Sequence, residues 1–137
     1  MTRLNPYINF NGTARSAMQF YKSIFGGTLV MTTYKDGGVP CDPKELDNIM
    51  HAQLTGDNGI VFMASDTPSG MAYIPGTNMS MSLSGENEAE LKSFWEKLSK
   101  GANVEQPLMK APWGDTFGML TDLFGIHWMV NIIAKKL

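Results

Sequence analysis

Residues 4–10 set polar Asn5, Tyr7 and Asn9 against apolar Ile8 and Phe10, the two-residue period of a half-buried strand. The period then lengthens. Ala14, Ala17, Met18, Tyr21, Ile24 and Phe25 recur at helical spacing, with Thr13 placed to cap the helix. Gly26-Gly27 closes it, because glycine takes the left-handed conformation that ends helices without steric cost. Residues 28–34 are β-branched and aromatic and predict a second strand. Residues 35–47 mix Gly, Pro and charge with no period, which predicts a loop long enough to serve as a lid. Alternation resumes at 48–55, with Met50, Ala52 and Leu54 opposite Ile49, His51 and Gln53. Asp57-Asn58-Gly59 predicts a hairpin turn with positive φ, and residues 60–65 the returning strand.

Residues 67–77, rich in Pro, Gly and Thr, predict a linker, after which the order repeats. Residues 78–84 alternate Asn78, Ser80 and Ser82 with Met79, Met81 and Leu83. Asn87 and Glu90 form a capping-box variant ahead of a helix whose apolar stripe is Leu91, Phe94, Trp95 and Leu98. Three strands follow, at 104–109, 116–121 and 126–133, the last two joined by a tight turn ending at Gly125. Gly125-Ile126-His127-Trp128-Met129 echoes Gly59-Ile60-Val61-Phe62-Met63, and Phe94-Trp95 answers Phe20-Tyr21. The reading is an α+β chain, one domain over 1–137, built from two βαβββ modules in tandem. Its repeat halves are 1–66 and 78–137.

Composition narrows the function classes. The net charge is −2, and Lys135-Lys136 is the one basic cluster, so the footprint that neutralises phosphates is missing and nucleic acid is not an expected partner. No apolar run reaches the roughly 18–20 residues that span a bilayer, and the N-terminal residues lack a signal-peptide core. A single cysteine, Cys41, permits no internal disulfide; with acidic Asp42 beside it, it is not an expected nucleophile. A cytoplasmic location fits this usage. Eleven methionines exceed ordinary need and supply pliable apolar surface.

Several segments carry a family resemblance: Pro6-Tyr7-Ile8-Asn9-Phe10, Met63-Ala64-Ser65-Asp66 with Pro68-Ser69-Gly70, Trp113-Gly114, Phe117-Gly118-Met119-Leu120-Thr121-Asp122, Phe124-Gly125-Ile126 and Trp128-Met129-Val130-Asn131. With the double βαβββ plan, the chain resembles the PhnB-like branch of the vicinal-oxygen-chelate superfamily, which includes glyoxalase I, bleomycin-resistance proteins and extradiol dioxygenases. The resemblance implies a glyoxalase-like curved mixed sheet around a cavity, helices outside, and a homodimer. Members of this branch often bear the name demethylubiquinone methyltransferase. No glycine-rich strand-to-helix turn of the kind that holds a methyl donor or nucleotide is present, so that activity has no motif behind it.

Period-two geometry assigns the cavity face. From the first half it takes Asn5, Tyr7 and Asn9, then Met63 and Ser65, joined by His51 and Gln53. The second half contributes Asn78 and Ser80, then His127 and Met129, with Trp113 as an aromatic wall. Metal-using relatives place His, Gln or Glu on the first and last strand of each half; the pattern puts Asn5, Met63, Asn78 and Met129 there. Amides and thioethers are poor ligands for a divalent ion, and no carboxylate is placed beside either histidine on a strand face, so no metal and no cofactor are expected. His51 is the best candidate for a general base. Asp66, between a strand and Thr-Pro-Ser-Gly, is expected to anchor a turn. The leading expectation is metal-independent binding of a small molecule. The alternative is a glyoxalase-like enzyme using a divalent metal or His51.

Overall fold

The structure, a computed structural model, describes residues 1–135; Lys136 of the terminal basic pair lies outside them. The chain divides into two compact units, Met1–Ile74 and a second beginning at Pro75.

In the first unit, β1 (Tyr7–Phe10) leads into α1 (Ala14–Phe25), β2 (Thr28–Thr33), a single-turn α2 (Tyr34–Gly37), β3 (Ile49–Thr55) and β4 (Val61–Asp66). The strands form one sheet in the order β1-β4-β3-β2, with β1 parallel to β4 and the other pairs antiparallel. One face packs on α1, which buries Ala14, Ala17, Met18, Tyr21, Ile24 and Phe25, all six residues of its predicted stripe. Phe62 receives two edge-on rings there, Tyr21 at 5.5 Å and Phe25 at 6.2 Å.

Asp66 ties this unit together. Its carboxylate is 1% exposed; Oδ1 accepts the Gly12 and Ala14 N–H groups, and Oδ2 accepts that of Ile49, each at 2.9 Å. The expected cap is corrected accordingly. Thr13 occupies the cap position without a side-chain bond, and an aspartate 52 residues downstream of Ala14 satisfies the helix start. Tyr34 adds a bond from its hydroxyl to the Asp66 carbonyl at 2.6 Å; burial, reinforced by nearby Asp66, pushes the phenol pKa up.

Two further expectations change. Thr32 faces His51 while Thr33 faces Ile49, so Met50 is an extra residue in the ladder and the strand turns over there. Ile49 therefore points into the core, away from the face it shares by simple alternation with His51 and Gln53. The 35–47 segment contains α2 and a 3-10 turn at Pro43–Glu45, closed at its base by Tyr34 N–H to Asn48 O (3.0 Å) and Lys35 N–H to Leu46 O (3.1 Å). Asn58 and Gly59 adopt φ 60° and 78°, the positive values expected of the Asn-Gly turn.

The second unit repeats the plan with β5 (Met81–Gly85), α3 (Glu88–Leu98), β6 (Asn103–Lys110), β7 (Thr116–Thr121) and β8 (His127–Ile132), in the order β5-β8-β7-β6. Again the first and last strands pair in parallel. Asn87 accepts the Glu90 N–H at 3.1 Å, as the capping pattern predicts. Pro107 sits in β6, the edge strand, where a missing N–H is tolerated and the register slips on both sides of Gln106. The core gathers Leu91, Val130 and Ile132 with Leu83, Phe94, Trp95 and Leu108 packed against it. Trp95 lies over Gly118, where a Cβ would stand 2.7 Å from the indole.

Candidate functional site

Each sheet has a face turned away from its helix, and the residues there follow from register. In the first unit, Met63 of β4 lies between Tyr7 of β1 and Gln53 of β3. Asn9 pairs with Ser65 one step along the same face, their side-chain oxygens 3.5 Å apart. His51 joins them from β3: the Tyr7 hydroxyl is 3.2 Å from Nδ1, and the two rings lie 5.7 Å apart at a 39° tilt. Gln53 is exposed and donates to the Thr55 hydroxyl at 3.3 Å. The predicted set Tyr7, Asn9, His51, Gln53, Met63 and Ser65 therefore shares one face.

Asn5 lies ahead of the paired strand. β1 begins at Tyr7, after Pro6, whose carbonyl accepts the Met63 N–H at 3.0 Å and starts the ladder. The side chain beside Met63 is the Tyr7 phenol.

In the second unit, Met129 of β8 lies between Ser82 of β5 and Met119 of β7. Asn78 and Ser80 are both exposed and precede β5. β5 begins only at Met81, which pairs with Trp128, so both residues lie ahead of the paired strand. Ser82 holds the place that alternation from residue 78 also reaches, and Ser84 pairs with Asn131 beyond it.

His127 is half-buried beside Thr121, its partner in the β7–β8 register. Nδ1 is 2.8 Å from the Thr121 hydroxyl, which also makes a short hydrogen bond to the Glu105 carboxylate on β6. A carboxylate thus stands one hydroxyl away from an imidazole, which the sequence reading did not expect. Single-strand alternation sees neither the cross-strand partner nor the irregular register that brings Glu105 to this row.

At the other end of this face, the turn 111–115 and strands β6 and β7 enclose a cleft of about 360 Å³ lined by Met109, Lys110, Trp113, Phe117, Met119 and Gln106, among others. Trp113 is 63% exposed and stands edge-on to Phe117 at 5.7 Å. Asp115 braces the turn, accepting from the Ala134 N–H (2.9 Å) and the Asn131 amide (3.0 Å). Those donors, the backbone one foremost, hold its carboxyl below the usual carboxylate range.

Asp122 is 5% exposed. It accepts the Phe124 and Ile126 N–H groups and the Trp128 indole N–H at 2.8–3.0 Å, closing the β7–β8 turn. The Asp-Leu-Phe-Gly spacing carries the signal for such a turn. Like Asp66, it is engaged in holding backbone and faces no cleft.

In neither sheet do the side chains at the first- and last-strand positions suit the divalent metal that the family resemblance implies. At the strand positions flanking the parallel pairs the side chains are a phenol, a hydroxyl and two thioethers, Tyr7, Ser82, Met63 and Met129. Among the described residues no three His, Cys, Asp or Glu side chains are grouped to hold an ion. Zinc or nickel requires about three imidazole or anionic ligands.

Comparisons place these features. A crystal structure of protein PA1353 from Pseudomonas aeruginosa is 35% identical, with a TM-score of 0.86 over 98% of this chain and 100% of that one. A putative 3-demethylubiquinone-9 3-methyltransferase, PhnB protein, from Bacillus cereus is 27% identical, with a TM-score of 0.78 over 96% and 100%. Protein YjdN of Escherichia coli K12 is 25% identical over 97% of each chain. The fosfomycin resistance protein FosX of Mesorhizobium loti shares the fold alone, at 8% identity and a TM-score of 0.60. A family model described as 3-demethylubiquinone-9 3-methyltransferase matches residues 2–131, and the chain belongs to that PhnB-like family.

Proposed function

We propose that this protein binds a small, largely apolar molecule without a metal. The observation that carries the reading is the chemistry of the open sheet faces. On the first sheet the Met63 thioether lies between Tyr7 and Gln53; on the second, Met119 and Met129 lie beside Ser82 and Asn131, with an aromatic cleft next to them. Such a surface is pliable and apolar with a few oriented polar groups, which is how small-molecule sites are built. Methyl transfer has no support in either sheet, since both are mixed and neither carries a glycine-rich turn from a parallel strand into a helix. A homodimer belongs to the same proposal and is checked by light scattering.

The test is a thermal-shift panel of small aromatic, phosphonate and antibiotic compounds beside Ni²⁺, Zn²⁺ and Mn²⁺. A ligand at 100 times its Kd adds about 2.7 kcal/mol, a readily measured shift. Stabilisation by organic compounds and not by metals is expected. A metal shift abolished by His51→Ala would overturn the metal-independent reading. One observation favours the alternative of an enzyme with His51 as base: the Tyr7 hydroxyl that engages Nδ1 would orient the ring.

A further inference from the structure

The Glu105–Thr121–His127 row has a direction. An ionised carboxylate can only accept hydrogen bonds, and a threonine hydroxyl has one proton to give. The short Glu105–Thr121 contact needs that proton between the two oxygens. The Thr121 oxygen is then left as an acceptor towards His127, so Nδ1 must carry the hydrogen at 2.8 Å. The hydrogen bond at one ring nitrogen decides the state of the other. In the neutral imidazole Nε2 is therefore a bare lone pair. We propose that this relay holds His127 Nε2 as the hydrogen-bond acceptor for a neutral planar ligand bearing one O–H or N–H donor.

The proposal rests on the small-molecule reading above and names the polar contact of its ligand. Register supplies the place. Met119 and Met129 form the next same-face pair after Thr121 and His127, about 7 Å along the strands. Phe117, two residues beyond Met119, enters the Trp113 cleft. A ring resting on the two thioethers has its edge at the imidazole. His51 lacks this arrangement: its Nδ1 partner is a phenol, which can either donate or accept.

Nitrogen-resolved NMR of the imidazoles, with phenol and its O-methyl ether anisole as probes, tests this on the intact chain. The unliganded protein is expected to carry the His127 proton on Nδ1. Phenol is expected to bind about two- to tenfold more tightly than anisole, the range of one net hydrogen bond. Thr121→Val should move the proton to Nε2 and bring the ratio to about one, while Thr121→Ser, which keeps the hydroxyl, should restore both. A proton on Nε2 in the unaltered protein, or equal binding of the two compounds, overturns the proposal and leaves small-molecule binding standing. Silence from both compounds together with a silent thermal panel overturns the binding reading, and this site with it.

Discussion

The two units share a backbone plan and differ in how polar groups are used. Strand order, the parallel first-and-last pair and the central methionine recur, with Met63 and Met129 in matching positions. The buried aspartates do not match. Asp66 ends β4, at the place where the second unit has Ile132, and ties α1 and β3 together through backbone donors. Asp122 instead follows β7 and ties a local turn to Trp128. The histidines differ too. By register His127 corresponds to Val61 and His51 to Phe117, so the imidazoles sit on different strands of the repeated sheet. The repeat fixes the pleat; polar side chains can then occupy any of its same-face positions.

The largest effect should separate the aspartates. Asp66→Ala leaves three backbone N–H groups without an acceptor, and at roughly 1–3 kcal/mol for each buried donor, reduced where water reaches Gly12, we expect a loss of about 3–5 kcal/mol in urea unfolding. Asp122→Ala should cost less, about 2–4 kcal/mol, because its backbone donors are part-buried. A reversed order would break the contrast between long-range and local anchoring.

Helix packing sharpens the comparison next. α1 buries six side chains; α3 buries Leu91 and Leu98 and leaves Phe94 and Trp95 half-exposed. The Trp95–Gly118 contact should therefore be a sensitive point of the second unit. Gly118→Val is expected to cost about 1–3 kcal/mol through overpacking, read as a lower urea midpoint. An unchanged midpoint would show that α3 shifts freely on its sheet.

Trp113→Ala should change stability by less than about 1 kcal/mol, since the ring is mostly exposed, yet weaken aromatic ligands in a fluorescence or NMR titration. Undiminished binding would move the site away from the cleft. The smallest effect concerns pH. The Asp115 carboxyl has a lowered folded pKa, so its contribution is complete above the ordinary value of 3.8 and is lost as pH falls through the folded value. Acid unfolding of Asp115→Asn should lack that component; an identical acid limb would show that the brace adds no measurable stability.

Much of this was legible in the chain. Alternation identified Tyr7, Asn9, Gln53, Met63 and Ser65 as one face because side chains in a regular strand obey a period of two. It failed wherever a ladder begins or slips. Asn5, Asn78 and Ser80 continue the polar pattern ahead of the paired strands β1 and β5, and Ile49 lies past the Met50 bulge. Pattern along one strand contains no term for the length or register of its neighbour.

The sequence by itself determined the element order, the duplication, the helix stripes and the thioethers of the strand faces, because these depend on local period and residue type. Only the tertiary structure decided that Asp66 caps a helix start 52 residues away and that Glu105, Thr121 and His127 form a row across three strands. Hydrogen bonds between strands depend on register, and register is settled by pairing and packing of the whole sheet.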